Sequence, residues 1–293
     1  MKKYLNPSIF IFFVLMLIFS CSIKKEKFNE MQNVYPWCIV AFDSLERSPS
    51  DRIKMLKELG FVKYAYDWRD KHLNEMENEI KLANENNIEI ISVWLWLNAK
   101  RDSLGNLSPS NERIFNILKH SQLKTTLWLS FSNNFFEGST QEQSMNRAIE
   151  MIKFIKIKAD EIDCKIALYN HHGWFGDPNI QVEIIETLPQ DSLKMVYNFH
   201  HAHQYLDEFP QIVKKIKPHL SAVNLNGMRK GGPKILPIGE GDYEMEMIKL
   251  LVEEGFDGPW GILGHVENED VKQVLKRNII GFNSLKLKQD TIR

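Results

Sequence analysis

From residue 34 onward the chain alternates between two patterns. Short apolar runs rich in β-branched and aromatic residues recur eight times: "YPWCIVAF", "VKYAYDW", "IEIISVWLWL", "KTTLWLSF", "KIALYN", "LKMVYNF", "LSAVNLN" and "PWGILGH". Their length and composition read as buried strands. Between them the apolar residues return every three or four positions, the spacing of a helix with one buried face. "SPSDRIKMLKELG" offers a serine cap and ends on Gly60, a stop residue. "NEMENEIKLANENN" and "EQSMNRAIEMIKFIKIKADEI" keep the same spacing. "QYLDEFPQIVKKIKPH" keeps it too, with Pro210 expected to disturb its first half. Alternating strand and helix predicts a parallel sheet, and eight units over roughly 255 residues match a closed (β/α)8 barrel. An open doubly wound sheet would carry a Gly-rich phosphate loop after its first strand, and none is present. No linker divides the units. Residues 34–286 therefore read as one α/β domain, a single (β/α)8 TIM barrel, followed by a short tail at 287–293.

Ahead of the barrel the pattern changes. "MKK" precedes "IFIFFVLMLIFS", a positive start and an apolar run that predict an export signal over residues 1–20. The run is shorter than the roughly 20 residues that span a bilayer comfortably. Ile18-Phe19-Ser20-Cys21 resembles a bacterial lipobox, with Phe19 bulky for its position. That resemblance implies cleavage before Cys21 and lipidation of its thiol. The acyl chains would anchor the protein in the cell envelope, periplasm-facing or at the outer membrane. An ordinary signal peptide or an uncleaved anchor fits the apolar run as well. "SIKKEKFNEMQN" completes a polar tether over residues 21–33.

Composition mainly excludes. With a formal net charge of −1 and interspersed charges, nothing points to a nucleic acid partner. Three cysteines are too few for a disulfide framework.

Chemistry in such a barrel sits at the C-terminal ends of the strands. That rule selects Asp43, Asp67, Trp68, Arg69, Trp96, Asn98, Tyr169, Asn170, His171, His172, Asn198, His200, His201, His203, Asn224, Asn226 and His265. Trp68 and Trp174 follow strand ends and suit stacking on a sugar ring. Arg69 is expected to pair with a neighbouring aspartate, or to grip an anionic group through its planar fork. "MRKGGPK", with Arg229, Lys230 and Lys234, reads as a mobile basic loop, with a phosphate cradle as the sharper alternative. The histidines could supply a nitrogen-rich site for zinc or another late transition ion. Successive strand residues point to opposite faces, so only one of His200 and His201 is expected to face the mouth.

The stretches "IALYNHHGW", "VYNFHHAH", "VNLNGM", "LPIGEGDYE" and "GFDGPWGILGH" resemble the xylose isomerase-like barrels. This is the sugar phosphate isomerase/epimerase group, which also has an endonuclease branch. The resemblance implies a sugar or keto-sugar substrate and proton transfer next to a carbonyl. Many members hold one divalent metal with a glutamate, an aspartate, a histidine and a glutamate after strands five to eight. Matched by motif, these positions fall on Tyr169, Asn198, Asn224 and Gly264, so the usual ligands are replaced. Hard cations want several anionic oxygens. No cofactor is therefore assigned, and a divalent metal would need a site rebuilt from His171, His201 and His265. The same matching gives His201 the place of a substrate-contacting histidine, an acid or base near neutral pH. Glu240, between two glycines, and His171 are the other candidate catalytic groups. Trp68, Arg69, Tyr169, Asn170, Trp174, Asn198, Asn224, Asn226 and His265 are candidates for substrate binding. Two readings follow: an envelope-anchored sugar isomerase/epimerase-like enzyme, or a catalytically silent carbohydrate-binding barrel. The endonuclease branch needs a denser ligand set and a basic surface, and neither is visible.

Overall fold

A computed structural model describes residues 31–291, with side chains through residue 285. The signal segment, Cys21 and most of the tether lie outside the described residues. Eight strands form one parallel sheet: β1 (Val34–Trp37), β2 (Lys63–Tyr66), β3 (Glu89–Leu97), β4 (Thr126–Phe131), β5 (Lys165–Tyr169), β6 (Lys194–Asn198), β7 (Leu220–Leu225) and β8 (Trp260–Leu263). Seven fall within the apolar runs and β1 begins one residue ahead of its run; the spatial order β1-β8-β7-β6-β5-β4-β3-β2 is that of a (β/α)8 barrel. The helices are α1 (Pro49–Glu58), α2 (Met76–Glu85), α3 (Pro109–His120), α4 (Gln141–Asp160), α5 (Pro178–Thr187), α6 (Phe209–Ile216), α7 (Glu244–Glu253) and α8 (Val271–Thr291). The last helix continues beyond residue 286. Among the described residues no helix is long and apolar enough to cross a membrane.

Local chemistry explains the helix starts. Ser48 accepts from the Asp51 N–H at the head of α1, and Ser108 does the same for Asn111 at α3. Thr140 and Gln143 form a reciprocal capping box at α4. α1 stops where predicted, with Gly60 left-handed at φ +79°. Pro210 departs from expectation. Residues Phe199–Glu208 form a 3-10 helix, and α6 begins at Phe209 with proline in its first turn. A first-turn residue needs no intrahelical N–H partner, so Pro210 starts the helix rather than disturbing it.

The strands bury both faces. Their outward side chains pack with the helices in one large apolar cluster. The inward layer holds Tyr35, Trp37, Trp128 and Tyr169 beside Ala65, Ala167 and Ala222. Small residues on some strands make room for large rings on others, so the barrel interior is filled rather than hollow.

One seam is different. Backbone ladders join every neighbouring pair of strands except β1 and β2. There Asp67, just after β2, reaches across to the chain leaving β1. Its Oδ1 accepts from the Ile39 and Val40 N–H groups at 2.8 and 3.0 Å, and its Oδ2 from Ala41 at 2.9 Å. Asp43, also a candidate by position, is structural too. It pairs with Arg47, which also bonds Asp270 just ahead of α8. On the outside of this seam Arg52 of α1 and Glu79 of α2 form a buried ion pair, and Tyr64 donates to Glu79 at 3.0 Å.

Candidate functional site

The C-terminal strand ends surround a cavity of about 140 Å³. Below it, two tyrosine–asparagine pairs form a floor. Asn198 Nδ2 donates to the Tyr169 hydroxyl at 2.5 Å, and the Tyr35 hydroxyl donates to Asn224 Oδ1 at 2.5 Å. The Tyr169 ring stacks on Trp128, with centroids 5.6 Å apart, and meets the Trp37 edge at 6.4 Å. Gly261 makes the second pair feasible, because a Cβ there would stand 2.2 Å from Asn224 Oδ1. Burial pushes the Tyr35 and Tyr169 phenols well above their usual range, so both remain protonated.

The fourth position differs from the motif match. On β8 the inward residue that lines the cavity is Leu263. Gly264 instead donates to Trp37 O at 2.8 Å, and a Cβ on it would meet Ile39 Cγ2 at 2.7 Å.

A hard divalent ion does not fit these residues. Tyr169 is a protonated phenol, Asn198 and Asn224 are engaged with tyrosines, and Leu263 offers no donor. Asp67 is the one carboxylate lining the cavity, and both its oxygens hold backbone N–H groups. The rebuilt histidine triad does not assemble either. His265 stacks on Phe42, with centroids 3.7 Å apart, and its Nε2 lies 3.0 Å from Glu267. Among the described residues no three His, Cys, Asp or Glu side chains are grouped to hold a metal.

Four histidine rings do gather on one side. Centroids are 4.1 Å apart for His171 and His172, and 4.3 Å apart for His171 with His201 and for His200 with His201. Both His200 and His201 line the cavity, contrary to the strand-alternation argument. The reason is that β6 ends at Asn198, whose side chain caps the following 3-10 helix by accepting from the His200 N–H at 3.1 Å. Residues in such a turn fan out and do not alternate.

Burial and crowding keep these rings neutral. His171 is lowered to about 3, first by burial and then by neighbouring His172 and His200. His200 is lowered to about 4, again chiefly by burial. His201 is lowered further still, by burial and then by His171. His201 is thus a neutral imidazole at pH 7, not the group poised near neutrality that its position suggested.

Other candidates sit elsewhere. Glu240 is exposed in a turn, and it is Glu244 that organises the loop by accepting from the Gly239 and Gly241 N–H groups. Trp68 packs in the outer core with Nε1 on Trp94 O at 2.7 Å. Trp174 lies against Phe136 and donates to Gln141. Asn170 ties β5 to β6 by accepting from the Asn198 N–H at 2.7 Å, while Asn226 holds Lys234 O. Asn98 and Asn134 bond each other, and His203 reaches Arg229 O. The basic loop is clipped by exposed Lys230–Asp207 and Arg229–Asp242 pairs.

The cavity walls are instead Trp37, Phe42, Trp94, Trp128 and Tyr169, with Cys38 beside them. Trp37 and Phe42 were missed because position after a strand was weighed more than direction within it. Counting by twos along β1 from Tyr35 would have turned Trp37 inward. Arg69 lines the same cavity. It lies over the Phe42 and Trp94 rings, 4.9 and 5.6 Å from their centroids, and makes no ion pair among the described residues. The expected pairing with an aspartate is absent because Asp67 is engaged and Asp70 accepts from Ser110.

The model of the xylose isomerase-like TIM barrel family matches residues 65–278. The chain belongs to this family. No curated protein matches it in sequence. Among solved structures, this xylose isomerase-like barrel is similar to the IOLI protein with a bound zinc atom, at TM-score 0.67 and 11% identity, covering 87% of this chain and 98% of that one. L-ribulose 3-epimerase gives TM-score 0.66 and 11% identity over 88% and 97% of the two chains. The 3-keto-D-glucoside 4-epimerase of E. coli gives 0.63 and 12% over 86% and 99%. At such identities the likeness is one of fold.

Proposed function

We propose that this chain is a sugar isomerase/epimerase-like barrel that recognises a small carbohydrate in its mouth without a hard divalent ion. Recognition, rather than turnover, is what the mouth is built for. The observation that carries this reading is the pairing of Tyr169 with Asn198 and of Asn224 with Tyr35, which engages three of the positions that the family resemblance assigns to metal ligands. It leaves an aromatic-walled, largely neutral cavity suited to the apolar faces and hydroxyls of a sugar ring. Names of fold neighbours that are sugar epimerases support the ligand class. Glu240 is exposed and burial holds His201 neutral, so these two expected proton carriers do not form an acid–base pair at pH 7.

The test couples binding to exchange. Calorimetry with a panel of aldoses and ketoses should give at least one ligand. Incubation of that ligand with the protein in D2O should leave the proton next to its carbonyl in place by NMR. Binding with exchange would support a second reading, metal-free isomerisation or epimerisation. That reading is favoured by the unpartnered Nδ1 of His171, a neutral imidazole that could donate to a developing oxyanion. No binding at all would sink both.

The lipobox-like tetrad supports a further part of the proposal: the barrel is exported and tethered through Cys21 to the envelope of a bacterial cell. Labelled fatty acid should enter the native protein and be lost in Cys21→Ser. Equal labelling of the two would refute the anchor.

A further inference from the structure

Several polar atoms around the mouth have no partner, firm donors among them. Asp67 has both oxygens committed to backbone N–H groups. Trp37 Nε1 is a buried donor with no acceptor, in a residue that lines the cavity. His171 and His200 each leave a buried Nδ1 unpartnered, a donor or an acceptor according to the tautomer. Arg69 carries five N–H groups, and one of its terminal nitrogens, Nη1, bonds Trp68 O at 2.7 Å. With its guanidinium lying over Phe42 and Trp94, donors remain along the plane of the fork. A neutral sugar could accept some of these bonds. It would also cover Arg69 with a ligand that excludes water and brings no counter-charge.

We propose that the mouth recognises a sugar acid, with Arg69 gripping its carboxylate through in-plane hydrogen bonds while the aromatic walls hold the ring. The inference rests on the reading that the mouth takes a sugar, and adds the charge of that sugar. A carboxylate is favoured over a phosphate by the balance of charge. Among the described residues Arg69 is the one Lys or Arg lining the cavity, where Asp67 already contributes a negative charge, and a phosphate monoester would add about −1.5 to −2 near neutral pH. Arg69 acts here as a specificity residue for binding and has no part in proton transfer.

Calorimetry on the native protein would compare uronic and aldonic acids with their neutral parent sugars, and with the corresponding sugar phosphates. The same series would be run on Arg69→Gln and Arg69→Lys, with thermal melting as a fold control. At least one acid should bind about tenfold or more tighter than its neutral parent, an advantage that falls as salt rises. The preference should vanish in Arg69→Gln and survive only in part in Arg69→Lys. Neutral-sugar affinity falls too when the Arg69 contact is lost, so the readout is the ratio of acid to neutral affinity within each variant.

A neutral parent that binds as tightly as its acid overturns the inference and leaves the sugar reading standing. So does a preference for the acid that persists in Arg69→Gln. A sugar phosphate that outcompetes every acid overturns the choice of carboxylate. Failure of all sugars, charged and neutral, removes the sugar reading and this inference with it.

Discussion

Replacing Asp67 tests the claim that one carboxylate closes the barrel. The β1–β2 seam lacks a backbone ladder, and three N–H groups of residues 39–41 rely on the two oxygens of Asp67. Asp67→Ala leaves those donors without acceptors. Each hydrogen bond to a charged group contributes about 1.5–3 kcal/mol, but water entering a seam so near the mouth would recover part of this. A loss of about 3–5 kcal/mol is therefore expected. Asp67→Asn gives a finer test. Its remaining oxygen can keep the Ile39 and Val40 bonds, while its NH2 group faces the Ala41 N–H. About 2 kcal/mol should be lost, with the damage concentrated at one amide. Urea unfolding measures the totals, and hydrogen exchange at Ile39, Val40 and Ala41 measures their distribution. Fast exchange of all three in the Ala variant, and mainly of Ala41 in the Asn variant, is the expected pattern. If Asp67→Ala unfolds within about 1 kcal/mol of the parent, the seam is closed by something else and the reasoning fails.

The histidine cluster predicts acid sensitivity with a definite sign. His171 and His200 titrate near 3 and 4 when folded and near 6.5 when unfolded, so the unfolded chain binds more protons between those values. Stability is fully present above about pH 6.5 and falls toward pH 4, by up to about 1.4 kcal/mol per pH unit for each histidine. His171→Gln should flatten the pH dependence of the urea midpoint, and an unchanged slope would count against burial as the cause. Truncating one partner of the buried Arg52–Glu79 pair, as in Glu79→Ala, should cost about 3–5 kcal/mol. Arg52→Met combined with Glu79→Leu should cost clearly less, and a double-mutant cycle in urea decides between them. Glu240→Gln should leave ligand affinity unchanged within about twofold, since this residue is outside the mouth. Trp94→Ala should weaken it tenfold or more, roughly 1.4 kcal/mol or above; calorimetry with equal losses in both variants would move the site.

Much of the architecture was legible in the chain because periodicity is a property of the chain itself. The eight apolar runs became eight strands, and the Ser48 cap and Gly60 stop bounded α1. What escaped depended on direction or on partners distant in sequence. Trp68 and Trp174 follow strands as expected, yet their rings turn to the outer packing and the rim. A one-residue difference in register moved the inward position on β8 from Gly264 to Leu263. His200 and His201 share the mouth because a 3-10 turn begins one residue earlier than a longer strand would allow. Asp67 looked like a candidate for chemistry, and only the proximity of residues 39–41 reveals its mechanical task. Tyr35 is the partner that explains Asn224, and it lies 189 positions away.

The two tyrosine–asparagine pairs make the floor an evolutionary ratchet. A histidine at position 224 would deprive the Tyr35 phenol of its acceptor, and a glutamate at 169 would bury an anion against Trp37 and Trp128. Either single step loses stability before any ion can be held, by about 1–3 kcal/mol for the orphaned phenol and more for the buried charge. With these pairs in place, substitutions elsewhere in the walls can change what the pocket recognises, while single substitutions toward a dication site each cost stability first.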